Sequence, residues 1–391
     1  ADDVPRRAAI NAFGIGGLNV HVVVEQFLHK PTKHALANAR HNSKKYSSTL
    51  SSSDPTAPAQ PIAVIGRGLV VPGAASVEQF RELMYARKNQ IGPPPPGRFG
   101  CANNISIFAS DSAATRRPML GGFVRGFEYD WRKHKVPPKQ IAHTNPLQFM
   151  LAEAAEQALR ESKCLEREFD RQNTAVIVGS IFGGDFGNAL FSGLRLPEFK
   201  HHLQQLLVAT GMSVEAAQEM SDAYEAKFLN VCPALLDETG SFTSSTLASR
   251  LSKTFDLMGG AMAIDSGDVS SFAALQAASQ LLASGAVNQV LCAAAHRALD
   301  AAAMDTLARL GRLPGTGESN EDGYFVGEGV AVVMLKRLSD AQRDGDKVLA
   351  VIEGIAPGFD ATSLTNSIAV ATERLGIKQG YVSRIIGGIG I

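Results

Sequence analysis

The sequence has few cysteines and no excess of charge of either sign. Only four cysteines occur in 391 residues, and no two of them form a CxxC pair. This argues against a disulfide-stapled domain and a Cys-rich zinc site, and it fits a reducing, cytoplasmic compartment. Lys plus Arg and Asp plus Glu both number 38, so the formal net charge is zero. Bulk electrostatic binding to nucleic acid or to anionic lipid is therefore not expected.

Long apolar runs are also missing. The longest apolar stretches, such as 329–335, fall far short of the roughly 20 residues that a membrane-spanning helix needs. The first residues show no initiator Met and no signal-peptide pattern, and we expect the chain to be a fragment. Hydrophobic residues make up 45% and charged residues 19%, which supports a folded core and excludes global disorder.

Composition divides the chain into three parts. Residues 1–27 end in a glycine-rich turn and a β-branched run, which predicts a buried strand without a partner inside that segment. Residues 28–60 are basic, then rich in Ser and Pro, which is typical of a flexible linker. Residues 61–391 alternate apolar runs with helical patterns, which predicts an α/β domain with layered sheets. The predicted strands are 61–66, 174–179, 289–295, 329–335, 348–354 and 382–386. The predicted helices are one capped by Ser76, 144–162, 211–228 and 269–284.

The stretch 258–285 carries the most chemical information. An apolar strand ends near Asp265, and Ser266, Gly267 and Asp268 form a turn of small residues. A helix rich in Ala and Leu follows from about Val269. A side chain at such a turn lies beside free backbone N–H groups and the positive end of the helix dipole, which activate a thiol and stabilise an oxyanion. The pattern is typical of a nucleophile held at a strand-to-helix turn.

Six segments together resemble the motifs of one protein family. They are residues 8–25 (AAINAFGIGGLNVHVVVE), 62–73 (IAVIGRGLVVPG), 145–148 (NPLQ), 248–252 (ASRLS), 264–272 (IDSGDVSSF) and 322–329 (DGYFVGEG). The family is that of the β-ketoacyl synthases in the polyketide and fatty acid synthase branch. Residues 8–25 resemble its final motif, and the other five segments follow its order. The resemblance implies the tail of an upstream ketosynthase at 1–27, a linker at 28–60 and most of a second, ketosynthase-like domain at 61–391.

The resemblance also implies a fold. It is the thiolase-like α/β fold, with two pseudo-repeated halves in five layers, α-β-α-β-α, incomplete at the C-terminus. The helix from Val269 is expected to be central and buried. Its alanine face is expected to let neighbouring helices approach closely, through Ala273, Ala274, Ala277 and Ala278.

Two departures from the family pattern fall on catalytic positions. The family reads roughly V-D-T-A-C-S-S-S-L at the elbow, and its nucleophilic Cys aligns with Asp268. A carboxylate cannot form the thioester that condensation needs. The first catalytic His of the family aligns with Gly387, which has no side chain to donate a proton. We therefore expect no intact catalytic residue and no metal site.

These departures resemble a chain length factor, the ketosynthase-like subunit that pairs with an active ketosynthase and bounds the growing chain. A ketosynthase followed by such a domain resembles polyunsaturated fatty acid synthases and related iterative synthases. The implied partners are an active ketosynthase, in a pseudo-dimer, and acyl carrier protein. The phosphopantetheine arm of that carrier would present malonyl and acyl thioesters, and no cofactor is expected to bind directly.

Two alternatives stay open. The domain could decarboxylate malonyl carrier protein, provided that burial keeps the Asp268 carboxyl neutral enough to stabilise an enolate. It could also be a plain scaffold, although an apolar pocket near Phe182, Phe186 and Phe242 would argue against that. An active condensing enzyme would need a Cys at a strand-to-helix turn, and none of the four cysteines is at one.

Several candidate residues have structural interpretations. Asp268 could simply be an N-cap or first-turn carboxylate, and Asp265 a hydrogen-bond acceptor at the strand end. Cys292 is predicted to be a buried, inert thiol. The expected elbow and pocket residues are Asp265, Ser266, Gly267, Val269, Ser270, Phe182 and Phe242. A loop of the upstream domain, resembling one that lines the family's acyl pocket, consists of Phe13, Gly14, Ile15, Gly16 and Gly17.

Overall fold

A computed structural model describes residues 7–13, 19–25, 61–96, 98, 120–138, 141, 144–181, 183–231, 243–310, 312–314, 323–353 and 355. The strands are β1 Arg7–Phe13, β2 Asn19–Glu25, β3 Ile62–Val70, β4 Ile91–Gly92, β5 Gly121–Gly122, β6 Thr174–Ser180, β7 Ala261–Ile264, β8 Gln289–His296, β9 Val326–Gly327, β10 Gly329–Arg337 and β11 Ala350–Ile352. The helices are α1 Val77–Tyr85, α2 Trp131–His134, α3 Leu147–Glu161, α4 Asp185–Leu194, α5 Leu196–Ala209, α6 Val214–Val231, α7 Ser245–Phe255, α8 Ser270–Ala283, α9 Ala301–Arg309 and α10 Leu338–Arg343.

A six-stranded mixed sheet organises the domain, in the order β11-β3-β10-β8-β6-β7. Strand β6 is parallel to both of its neighbours, β7 and β8. Strand β10 runs antiparallel to β8 and β3, and β11 runs antiparallel to β3. Every residue of β6 is buried. Such a continuous apolar run is expected of a strand whose two faces are both covered.

Helices cover both faces of this sheet. Helices α3 and α7 pack on one face, where Val176, Val178 and Leu291 belong to one apolar cluster. Helix α8 packs on the other face, against Ile177 and Val290. The alternation of buried residues along each strand therefore yields three layers, helix, sheet and helix. This is the arrangement expected of one half of the five-layered fold.

A second sheet and a group of three helices accompany this core. Strands β4, β5 and β9 form a small second sheet. Helices α4, α5 and α6 form a helical insertion between β6 and β7, in which Lys200 of α5 pairs with Asp222 and Glu225 of α6, each at 2.5 Å.

Most predicted elements are confirmed, and their ends shift by a few residues. The strand predicted for 61–66 begins at Ile62 and continues to Val70. The strand predicted for 348–354 is limited to Ala350–Ile352. Ser76 caps α1, since its side chain accepts the Gln79 backbone N–H at 3.3 Å. The predicted strand 382–386 and the linker 28–60 lie outside the described residues.

The prediction that the apolar strand near residue 20 has no local partner is wrong. Strand β2 pairs antiparallel with β1, in a register that places Ile10 opposite Val22. The sequence analysis did not predict a strand at residues 7–13. Their apolar and small residues can nevertheless form a β-strand as readily as the β-branched run does.

For the described part of the chain, the structure also corrects the expectation that other helices pack closely against the alanine face of α8. Its Ala274 and Ala278 contact the sheet and not another helix. Its opposite side carries Phe272, which is 55% exposed. The alanines are spaced four residues apart and therefore line only one narrow face, which allows the helix to lie close to β6 and β8.

Candidate functional site

The strand-to-helix turn after β7 is held by its own hydrogen bonds. Asp265 Oδ1 accepts the Gly267 backbone N–H at 3.1 Å, so the acceptor role predicted for Asp265 is observed. Ser270 Oγ accepts the Ser266 N–H at 2.9 Å and donates to the Gly267 carbonyl oxygen at 2.5 Å. Gly267 has a φ of +59°, a left-handed conformation that glycine adopts without a steric penalty.

A second glycine sets how closely α8 approaches the sheet. A Cβ on Gly179, near the end of β6, would lie 2.2 Å from the Ser270 carbonyl oxygen. The first residue of α8 is therefore placed directly against β6, and larger residues at position 179 are excluded.

Asp268 lies between this turn and the helix. The N-cap of α8 is Val269, and no side chain caps the helix. The N-cap interpretation of Asp268 is therefore wrong. Because Ser270 hydrogen-bonds within the turn, the chain enters the helix one residue later than the sequence suggests.

A cleft of about 460 Å³ opens at this turn. Its lining joins the ends of β6 and β8, the elbow and the segment that leads into β10. Of the expected elbow residues it includes Gly267, Asp268 and Ser270, whereas Asp265, Ser266 and Val269 are not among its lining residues. Expected residues outside the described part of the chain are Phe182, Phe242, Gly387, Gly14, Ile15, Gly16 and Gly17, while Phe13 ends β1.

Sequence reasoning missed His296 as a cleft residue. His296 is the last residue of β8, opposite Gly329 in β10, and it lines the cleft. Burial lowers the pKa of His296, while the charges of Glu328 and Asp268 act in the opposite direction. The imidazole is therefore neutral at pH 7. The available signal was a polar residue directly after the apolar run VLCAAA of this strand.

Tyr324 and Glu328 also line the cleft, although the sequence identified them only as motif residues. Burial raises the pKa of Tyr324, so its hydroxyl stays protonated. The Glu328 side chain is fully buried and pairs with Arg98 at 2.6 Å. Its Oε1 also accepts the Val124 backbone N–H at 2.8 Å. Glu328 therefore fixes the wall of the cleft, and its charge is compensated there.

Two other motif segments meet away from the cleft. Arg250 of α7 donates a hydrogen bond from Nε to Oε1 of Gln148, which lies in the first turn of α3. Gln148 is buried, and its Nε2 lies 3.4 Å from Thr246 Oγ1. The NPLQ and ASRLS segments therefore join α3 to α7.

The described cysteines do not offer a nucleophile. Cys292 lies inside β8 and is 3% exposed, and burial raises the pKa of its thiol to about 12. Burial also raises the pKa of Cys164. A thiol with such a pKa is not ionised at pH 7. The predicted inert character of Cys292 is consistent with this environment. Cys101 and Cys232 lie outside the described residues.

Comparison with known proteins extends these observations. The family model described as "Beta-ketoacyl synthase, N-terminal domain" matches residues 59–341. One phenolphthiocerol/phthiocerol polyketide synthase of Mycobacterium tuberculosis is 28% identical over 315 residues, which cover 78% of this chain and 14% of that protein. Highly reducing polyketide synthase 17 of Metarhizium anisopliae is 29% identical over 336 residues, which cover 83% and 10%. The chain thus spans a small part of the curated relatives that it matches.

Solved structures share the fold. The PfaC keto synthase–chain length factor superposes with a TM-score of 0.71 at 22% identity, covering 95% of this chain and 37% of that one. The oxazolomycin ketosynthase domain OzmH KS7 of Streptomyces albus superposes with a TM-score of 0.59 at 21% identity, covering 81% and 52%. These ketosynthase neighbours confirm the thiolase-like α/β fold.

Among the described residues, the helices include none that is both long and apolar enough to cross a membrane.

Proposed function

The chain belongs to the β-ketoacyl synthase family, and we propose that its ketosynthase-like domain is a non-condensing partner that sets chain length beside an active ketosynthase. One observation carries the proposal. Asp268 lines the elbow cleft at the strand-to-helix turn, where condensation would require a thiol. A carboxylate there forms no thioester, so the acyl chain has to be held by another domain.

The proposed setting is a fatty acid or polyketide synthase of the polyunsaturated fatty acid type. The likeness to a keto synthase–chain length factor supports this choice, and so do the motif segments on both sides of residues 28–60. Residues 1–27 would end the upstream ketosynthase. Acyl carrier protein would bring malonyl and acyl thioesters on its phosphopantetheine arm.

The edge of the main sheet suggests where the active ketosynthase binds. Strand β7 ends the strand order of the described sheet, and its outer edge can accept a further strand. Apolar side chains surround this edge: Met258 is 60% exposed and Met262 is 42% exposed. An open strand edge beside apolar side chains is well suited to a stable protein contact. We propose that β7 forms the centre of the pseudo-dimer interface.

Acyl labelling tests the proposal. The intact synthase is incubated with an isotopically labelled acyl thioester and digested, and the labelled peptides are identified by mass spectrometry. We expect label on the upstream ketosynthase and none on the peptide that contains residues 258–285. The Asp268→Cys variant is expected to add no condensation activity. Label on Cys292, which is buried and has a raised thiol pKa, would indicate that the domain had unfolded during labelling.

Other results would support other functions. Native acylation of the 258–285 peptide would refute the non-condensing role. Release of CO2 from malonyl carrier protein, abolished by Asp268→Ala while the upstream nucleophile is blocked, would establish the decarboxylase alternative. If substitutions at the cleft and at β7 leave the product length unchanged, the interpretation of the domain as a plain scaffold would be supported.

A further inference from the structure

The segment 125–136, called the strap from here on, is held to the domain by side chains. It follows β5 and contains α2. Among the described residues, its backbone hydrogen bonds stay inside the segment, from Lys133 to Asp130 and from Val136 to Trp131. A segment without backbone hydrogen bonds to its surroundings opens more readily than a strand inside a sheet. The side chains of the strap therefore decide whether it stays in place.

Two of these side chains connect the strap to α3. The Tyr129 hydroxyl lies 2.5 Å from Nδ1 of His134. Nε2 of the same imidazole lies 3.8 Å from Oε2 of Glu156, which belongs to α3. Burial raises the pKa of Tyr129 to about 12, so the phenol is protonated at pH 7 and donates to Nδ1. The neutral imidazole consequently carries its proton on Nε2, facing the carboxylate.

The Glu156 carboxylate is already compensated by two cations. Arg160 donates to Oε1 from Nε at 2.9 Å and from Nη2 at 2.5 Å. Lys133 Nζ lies 3.6 Å from Oε2, which is buried and accepts no hydrogen bond from any described residue. Protonation of His134 would add a third cation beside this carboxylate. It would also make Nδ1 a donor, so that the Tyr129 hydroxyl proton would lose its acceptor.

The charges around His134 determine the direction of the effect. The charged side chains that act on Tyr129 and His134 are Asp130 and Lys133 of the strap, Glu153, Glu156 and Arg160 of α3, and Arg250 of α7. Burial lowers the pKa of His134, and the carboxylates of Glu156 and Glu153 oppose this without reversing it. Lys133 and Arg160 act in the same direction as burial. In a released strap, His134 would have its ordinary pKa of about 6.5. Proton uptake therefore favours release below about pH 6.5, and the bound strap is fully favoured above that pH.

We propose that Tyr129, His134 and Glu156 form a proton-operated latch: neutral His134 holds the strap against α3, and protonated His134 releases it. Release also affects the elbow cleft. Val124, directly before the strap, donates its backbone N–H to Glu328 in the cleft wall at 2.8 Å. The latch goes beyond the proposed function and is independent of whether the domain condenses acyl chains.

Trp131 reports the state of the strap, because it is the only tryptophan in the sequence and lies in α2. Acrylamide quenching of its fluorescence is measured on the full 391-residue chain between about pH 5 and 7.5. Trp131 is 43% exposed, so release should raise the quenching constant about twofold at the acidic end. Hydrogen exchange, corrected for the intrinsic effect of pH, should show lost protection in the strap and retained protection in β6 and β8.

Arg160→Gln distinguishes a latch from a contact that is merely structural. Without this guanidinium, Glu156 can hold a protonated His134, so release should require a pH lower by at least about half a unit. Loss of a structural ion pair would instead loosen the strap and move release to higher pH. Arg195→Gln is the matched control, because it breaks the exposed pair with Glu198 and should leave the midpoint of release unchanged.

Two substitutions inside the latch complete the test. Tyr129→Phe keeps the ring and removes only the hydroxyl that donates to Nδ1, so it should release the strap at a higher pH. His134→Asn retains an acceptor for Tyr129 but cannot be protonated, so the acid-dependent rise in quenching should disappear.

Three results would overturn the proposal. The first is a quenching constant of the native chain that does not change with pH. The second is release of the Arg160→Gln strap at the native pH or above it. The third is loss of exchange protection in β6 and β8 together with the strap, because the whole domain would then be unfolding and no separate latch would exist.

Discussion

Gly68 of β3 lies so close to α3 that a Cβ at this position would sit 1.9 Å from the carbonyl oxygen of Ala154. Gly66 has the same relationship with the Ala158 carbonyl oxygen, at 2.1 Å. Two glycines two residues apart on one face of a strand thus match alanines four residues apart on a helix. The G-x-G spacing of the opening motif is in this chain a packing requirement.

Gly68→Ala is therefore expected to destabilise the domain. The added methyl group would have to displace helix backbone, and overpacking of this kind costs about 1–3 kcal/mol. Urea unfolding monitored by circular dichroism should show a lower midpoint. Gly187→Ala is the control, because a Cβ there meets nothing within 4 Å and alanine favours the helix α4. Equal midpoints for Gly68→Ala and the native chain would contradict this close packing.

The buried pair of Arg98 and Glu328 gives a second prediction. Their side chains are 6% and 0% exposed, so neutralising Glu328 removes the carboxylate that Arg98 contacts in a nearly dry site. Glu328→Gln should cost about 3–5 kcal/mol in the free energy of unfolding, as for other broken buried pairs. Glu198→Gln breaks the exposed pair with Arg195 and should change stability by less than about 1 kcal/mol. If both variants lost a similar free energy of unfolding, the proposed difference between the buried and the exposed ion pair would be wrong.

The sequence predicts the elbow better than it predicts the cleft. The elbow depends on local signals: a short apolar strand, small turn residues and an alanine-rich helix. The cleft depends on residues that are distant in sequence, since His296 and Tyr324 approach Asp268 only through sheet order and register. The hairpin of β1 and β2 escapes sequence reasoning because alanines in residues 7–13 carry little strand signal. The prediction of a cap at Asp268 failed for a related reason. Sequence periodicity does not show that the Ser270 side chain forms hydrogen bonds within the turn, so it places the start of the helix one residue too early.

Buried histidines predict how stability depends on pH. Burial lowers the pKa of His296 and of His134 in the folded chain, so below about pH 6.5 the unfolded chain binds more protons than the folded chain. The free energy of unfolding should therefore increase as the pH is raised towards about 6.5, and it should become constant above that pH. His296→Asn should reduce this slope, measured as urea midpoints between about pH 5 and 7.5. An unchanged slope would mean that His296 titrates alike in both states.

The exposed edge of β7 gives the last prediction. Met262→Lys places a charge on a strand edge, a substitution that natural proteins use to prevent edge-to-edge pairing. Since Met262 is 42% exposed, the change should leave the urea midpoint of the isolated chain nearly unaltered. It should nevertheless weaken binding to an active ketosynthase by tenfold or more, because the ammonium would be desolvated at an apolar contact. Analytical ultracentrifugation of the mixed proteins measures this. Met220→Lys on α6, where Met220 is 49% exposed, is the matched control and should bind normally. If both variants bind like the native chain, the partner contacts another surface, and the proposed interface at β7 is wrong.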